Sequence, residues 1–233
     1  MAKLYLIPSP LGECDFTTVF PAWNSEIIQS IDTYIVEDVR TERRFLKKLG
    51  IRQSIDDLTF YHLDKHSKDL DLRQFLAPCL AGKNVGLLSD AGVPCIADPG
   101  NLVVATAHRL GIPVVPLVGP SSILLALMAS GFNAQSFAFH GYLPSEQPNR
   151  ERELKFLESL SDKTHQTQIF IETPYRNNHI FKSILSVCAP DTRLCIAVNL
   201  TTEEETIISK TVAQWKKEHI DLHKKPAIFL ISR

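Results

Sequence analysis

The chain of 233 residues contains no C-x-x-C pair, no H-E-x-x-H, no G-x-x-x-x-G-K-[ST] loop, no G-x-G-x-x-G turn and no G-x-S-x-G elbow. Those absences exclude the common zinc signatures, the P-loop, the usual dinucleotide fingerprint and the nucleophile elbow of many hydrolases. Its five cysteines (Cys14, Cys79, Cys95, Cys188 and Cys195) are odd in number and unpaired in spacing. They read as reduced thiols rather than a disulfide framework. His62 and His66 stand four apart without a glutamate between them or a clear third ligand, so they read as a surface pair and no metal is expected. No apolar run approaches the roughly 20 residues of a membrane span. The opening run 4–7 stops at Pro8, too early for a signal peptide. A cytoplasmic protein is expected. With 25 Lys and Arg against 26 Asp and Glu, the net charge of −1 advertises no nucleic-acid partner, so any such partner must be held by a local patch.

What is present is an ordinary globular composition, 44% hydrophobic and 22% charged, in a chain long enough for two modest domains. Apolar runs at 4–7, 33–37, 58–63, 84–90 and 112–117 read as strands, with helical patterns near 24–31, 40–49, 69–81 and 100–110 between them. That alternation implies crossover connections and a mainly parallel sheet. Asp98 and Pro99 suit the start of the helix at 100–110, and Gly111 its end. A helix from Ser121 or Ser122 to Ala129 is apolar on all sides, which predicts burial between two layers. Strand-like runs at 136–143, 167–173, 193–201, 204–211 and 226–232 follow, with helices at about 146–160, 175–187 and 211–219. The closeness of 193–201 to 204–211 suggests a hairpin, hence a mixed sheet. The expected fold is therefore two α/β domains, 1–117 and 118–233, the first with a mainly parallel and the second with a mixed sheet.

In open α/β sheets, ligands sit at the carboxyl ends of the strands. The loops there include "PSPLGE" (8–13), "EDVRT" (37–41), "SDAGVP" (89–94) and "VGPSS" (118–122). They offer carboxylates, amides and hydroxyls but no lysine, which suits a ligand with hydroxyls or positive charge better than one with several phosphates. Asp98 equally reads as a turn cap, whereas Asp90 follows a buried-looking strand directly. In "RTERRFLKKLG", Arg40, Arg43, Arg44, Lys47 and Lys48 recur with the period of one helix face, opposite Val39, Phe45, Leu46 and Leu49. The pattern reads either as a solvated face or as a phosphate-binding patch.

"SDAGVPCIADPG", followed by "PVVPLVGPSS", resembles the hallmark of the tetrapyrrole (corrin/porphyrin) methylase superfamily. "LYLIPSPLGE", "VEDVRTERRFLKKLGI", "IFIETPYR" and "LCIAVNLTTEEE" are similar to segments of the branch that methylates a ribose 2′-hydroxyl of small-subunit ribosomal RNA. The resemblance spans nearly the whole chain in order. It implies a two-domain, usually homodimeric methyltransferase binding S-adenosylmethionine between its domains. Carried over by motif, Pro10, Leu11, Asp90 and Val93 would line the cofactor site from the first domain, with Ser121 and Ser122 beside them. Phe170, Leu200, Pro226 and Ala227 would hold the adenosine from the second. Because the sulfonium already activates the methyl group, the protein's task is positioning. Glu37 and Asp38 are the candidate acceptors for the proton of a ribose hydroxyl, or else partners of nearby arginines. Arg176 would join the basic helix in holding RNA.

Three segments depart from the family's pattern. "GECDF" (12–16) replaces Gly-Asn-Leu, "TPY" (173–175) replaces Ser-Pro-His, and a C-terminal extension of longer members is absent after Arg233. A tetrapyrrole acceptor is the alternative substrate. A non-catalytic cofactor- or RNA-binding relative is the alternative to an enzyme.

Overall fold

A computed structural model describes residues 2–64, 67 and 69–233, with the backbone alone at 69 and 70; His66 lies outside the described residues. The chain forms two compact units, Met1–Ser121 and Ser122–Arg233.

The first unit is built from β1 (Leu4–Ile7), α1 (Ala22–Ile28), β2 (Thr33–Val36), α2 (Val39–Leu49), β3 (Thr59–His62), α3 (Asp69–Phe75), α4 (Ala77–Leu80), β4 (Val85–Leu88), α5 (Gly100–Arg109) and β5 (Val114–Pro116). Its five strands lie in the order β3-β2-β4-β1-β5, every pairing parallel. The central strands β2 and β4 are buried along their whole length, as parallel strands covered on both faces must be. Side chains alternate between the two faces. Leu4, Ile35 and Leu87 join Leu72, Leu76, Val103 and Ala107 on one side. Tyr5, Tyr34 and Leu88 join Ile28, Phe45 and Leu46 on the other.

The single helix expected over 69–81 is two helices. Pro78 cannot donate to residue 74, so the chain breaks at Leu76 and starts again with the proline in its first turn.

The second unit contains α6 (Ser122–Ser130), β6 (Phe137–Tyr142), α7 (Gln147–Thr164), β7 (Thr167–Ile171), α8 (Asn177–Val187), β8 (Arg193–Val198), β9 (Thr206–Thr211), α9 (Val212–Trp215) and β10 (Ala227–Ser232). The strand order is β6-β7-β10-β8-β9. Only β6 and β7 are parallel; β8 and β9 form the expected antiparallel hairpin. The sheet is therefore mixed. Phe170 and Phe229 stack across β7 and β10, with ring centroids 6.0 Å apart. They lie in a core shared with Leu154, Ile180, Ile184 and Trp215.

The helix expected to be buried on all sides is not. Ala126 and Leu127 of α6 are buried, and the helix packs on β10, β9 and β8. Met128 stays 76% exposed and Leu124 50%, because α6 meets this sheet through one stripe only. The helix expected over 211–219 ends at Trp215, and the one over 146–160 runs on to Thr164, where His165 takes a left-handed cap.

All five cysteines are free thiols. Burial pushes those of Cys188 and Cys195 up to about 12, so they remain protonated.

Buried Trp215 donates its indole N–H to the Leu194 carbonyl at 2.9 Å and meets Phe181 edge-on. Trp215→Phe removes the donor and leaves a small void. Urea unfolding is expected to show a loss of about 1–3 kcal/mol through a lower midpoint at unchanged slope.

Candidate functional site

Three loops at the carboxyl ends of β1, β4 and β5 are fastened together. Ser9 and Gly92 exchange backbone hydrogen bonds of 2.9 and 3.0 Å as an isolated antiparallel bridge. Gly92 has φ +75°, and a Cβ there would stand 3.0 Å from Leu11 Cδ2 and 3.3 Å from the Pro120 carbonyl. Gly119 admits no side chain at all, since its Cβ would lie 2.2 Å from Pro8 Cγ. Asn24 of α1 donates to the Val118 carbonyl at 2.7 Å and fixes the third loop. The expected residues Pro10, Leu11, Asp90, Val93 and Ser121 thus lie on loops held within van der Waals contact of one another.

The two aspartates of "SDAGVPCIADPG" have separate tasks. Asp98 accepts the Cys95 N–H at 2.8 and 3.0 Å and the Gly100 N–H at 2.7 Å. It anchors a loop in which Cys95 and Ala97 adopt positive φ, 72° and 66°, and it reaches the first amide of α5. Asp90 makes no such structural bonds with its carboxylate to that loop. Partial desolvation and the like charges of Asp38 and Asp98 hold its carboxyl above the usual range, opposed by the Asp38 backbone N–H.

Asp38 is the N-cap of α2. Its carboxylate accepts the Thr41 N–H at 2.6 Å, and that bond holds its pKa below the usual range. A carboxylate so stabilised is a weakened base. Glu37 is half-buried beside it.

A fourth member of this cluster escaped the sequence reading. Glu42, in the first turn of α2, is fully buried, and neither of its oxygens has a hydrogen-bond partner. Burial, then the charges of Asp90, Asp38 and Glu37, push it up to about 8. At neutral pH it is a neutral acid. The signal was present: Glu42 stands three residues from both Val39 and Phe45, in the centre of the apolar stripe. The Ser9 hydroxyl is likewise buried without a partner.

The outer face of α2 is basic. Arg40, Arg43, Arg44 and Lys47 line a groove of about 770 Å3 floored by Val39, Ile51 and Ile55. Arg43 pairs with Asp56 on the far wall. Arg40, Arg44 and Lys47 form no ion pair with any described residue. Lys48 turns away, bridging to Glu13 at 3.5 Å and lying over the Phe16 ring.

In the second unit, the Asn199 N–H donates to the Pro226 carbonyl at 3.0 Å, which brings Leu200 beside Pro226 and Ala227. Asn199 and Thr201 flank Leu200 with positive φ, 49° and 69°, and the Thr201 hydroxyl is buried without a partner. Phe170 lies wholly in the core, two ladder positions along from this loop. Ser122 opens α6. Arg176 is held by Glu172, whose Oε1 accepts its Nε at 3.0 Å and its Nη2 at 2.6 Å.

The buried Glu42 makes stability depend on pH. The folded protein keeps its proton up to about pH 8, whereas the unfolded chain loses it near 4.5. Stability should therefore fall as pH rises through that window, by about 1.4 kcal/mol per unit. Glu42→Gln removes the titration. Melting temperatures recorded from pH 5 to 8 should decline less steeply for the variant than for the parent.

The sequence pattern of the Tetrapyrrole (Corrin/Porphyrin) Methylases matches residues 3–215. Over 232 residues the chain is 31% identical to the ribosomal RNA small subunit methyltransferase I of Escherichia coli O157:H7, covering 98% of this chain and 77% of that protein. It is 32% identical to the protein of the same name from Bacillus subtilis, covering 94% and 71%. Among solved structures, the methyltransferase CobJ superposes with a TM-score of 0.66 at 13% identity, over 100% of this chain and 95% of that one. Uroporphyrin-III-C-methyltransferase from Thermus thermophilus gives 0.55 at 15%, over 99% and 92%. At those identities the structures establish the fold alone, and the two sheets agree with it. Family pattern and relatives matched over nearly all of this chain together establish that it is a methyltransferase belonging to the tetrapyrrole (corrin/porphyrin) methylases.

Proposed function

We propose that the protein transfers a methyl group from S-adenosylmethionine to a ribose 2′-hydroxyl of small-subunit ribosomal RNA. The observation that carries this reading is the placing of α2. Its N-terminus belongs to the carboxylate cluster of Glu37, Asp38, Glu42 and Asp90, and its outer face is the basic wall of the groove. One helix thus joins a site for a cation to a site for a phosphate chain.

The residues present fit the cofactor. S-adenosylmethionine carries a sulfonium and an ammonium, and the cluster supplies two carboxyls, Glu42 and Asp90, that are raised first by burial and then by repulsion from their like-charged neighbours. Binding a cation there relieves that repulsion. Pro10, Leu11, Val93, Ser121 and Ser122 supply backbone and hydroxyl contacts around Asp90, with the unpartnered Ser9 hydroxyl among them. Leu200, Pro226 and Ala227 hold the adenosine, with Phe170 fixing the sheet beneath them. When bound, the cofactor supplies an electrophilic methyl group. This chain's own work is to align the acceptor oxygen and take its proton. Glu37 and Asp38 are the proposed acceptors, Asp38 through the oxygen that Thr41 does not use. Arg40, Arg44 and Lys47 meet phosphates directly, Arg43 does so on leaving Asp56, and Lys48 and Arg176 reinforce the field. Homodimerisation and a cytoplasmic location belong to the same reading. No helix among the described residues is long and apolar enough to cross a membrane.

The test is methyl-labelled cofactor with small ribosomal subunits from a strain lacking this protein. Label is expected in the RNA, and Asp90→Ala should abolish both labelling and calorimetric cofactor binding. Replacing Arg40, Arg44 and Lys47 with Gln should leave cofactor affinity intact. It should raise KM for the subunit and lower the salt dependence of RNA binding by a logarithmic slope of about 2. Cofactor binding with no label in RNA, under conditions where a control methyltransferase works, would overturn the assignment.

A further inference from the structure

Tyr175 is the most exposed aromatic residue among the described residues, at 66%. A lone exposed ring is ordinary. This one, however, sits on a mount. On one side is the turn after β7. The buried Glu172 accepts the Thr173 N–H at 2.7 Å and both Arg176 bonds, closing the turn so that Tyr175 stands at its tip. On the other side is the segment 221–225. Asp221 accepts the His223 N–H at 3.0 Å and the Asn178 amide at 2.9 Å. Asn178 in turn accepts the Leu222 N–H at 3.0 Å.

Two more bonds join the segments directly. The Lys224 N–H reaches the Pro174 carbonyl at 3.0 Å, and the Asn177 amide reaches the Lys225 carbonyl at 2.6 Å. Lys224 takes a left-handed φ of 60°, a conformation uncommon for a residue with a side chain. The result is a tyrosine ring with the His223 imidazole at 6.0 Å, edge to face, and the Lys224 ammonium 5.9 Å from its centroid. Lys225 is exposed next to them.

An exposed ring on a hydrogen-bonded turn, with a lysine ammonium over it, matches what unpaired RNA presents. Its bases offer flat faces that stack on aromatic side chains, and its phosphates pair with the cations beside them. A peptide or lipid surface would use the cations without needing the flat ring. We propose that Tyr175, His223 and Lys224 form a stacking platform for an unpaired base of the RNA substrate, with Lys224 and Lys225 meeting the flanking phosphates. The inference rests on the RNA reading above and adds a subsite on the second unit.

The probe is a short fluorescein-labelled single-stranded RNA, with a version carrying abasic sites, followed by fluorescence anisotropy. Tyr175→Ala is expected to weaken binding about tenfold, while Tyr175→Phe and Tyr175→Trp stay within about twofold of the parent. The abasic RNA should bind the parent as weakly as the intact RNA binds Tyr175→Ala. Melting temperature and calorimetric cofactor affinity should be unchanged in all three variants, because the ring is outside the core. RNA binding indifferent to Tyr175 would overturn the platform and leave the RNA reading standing. Loss of cofactor affinity in place of RNA affinity would also overturn it, since the ring would then be serving the adenine. A parent protein that binds no RNA would overturn both.

Discussion

The loop surface proposed as the cofactor site depends on close approaches where no side chain fits. The Ser9–Gly92 bridge and the contact of Gly119 with Pro8 draw three loops from strands β1, β4 and β5 into one surface. Parallel strands deliver their carboxyl ends to the same edge, but that brings loops only near one another. Closing the last few ångströms requires glycine at 92, where φ is positive, and at 119, where a Cβ would overlap a proline ring. Asp98 completes the construction by satisfying the amides of a loop whose Cys95 and Ala97 are both left-handed. Strain of this kind persists where surrounding bonds over-determine it.

Onto that frame the chain puts more negative charge than it neutralises. The charge of Asp38 raises both Asp90 and Glu42, and solvation and hydrogen bonding decide which group holds its proton. Asp38 is exposed and hydrogen-bonded, so it stays ionised; Glu42 is buried without a partner, so it holds its proton. A buried, unsatisfied carboxyl is a cost to stability. On the function proposed above, a cationic ligand beside it would turn that cost into affinity.

Much of this could be read from the residues in order. Short apolar runs located the strands and the β8–β9 hairpin, and helical patterns most of the helices, because both signals are local in sequence. The break at Leu76 was missed because apolar periodicity continued across Pro78. The exposed side of α6 was missed because hydrophobicity all round a helix states what could be buried, not what arrives to bury it. Glu42 was passed over because a charged residue inside "RTERRFLKKLG" looked like part of the basic helix. Its angular position placed it with Val39 and Phe45 instead.

The sequence by itself determined the alternation of strands and helices, the family and the basic face of α2, since each is written in local composition and spacing. Tertiary structure decided which carboxylates face one another, that Lys48 and Arg176 are engaged by Glu13 and Glu172, and that a tyrosine at 175 meets a histidine and a lysine at 223 and 224. Apart from pairs close in sequence such as Glu172 and Arg176, those contacts join residues 35 to 52 positions apart. They depend on how the sheets bring loop ends together, a property of the folded chain that no window of sequence contains.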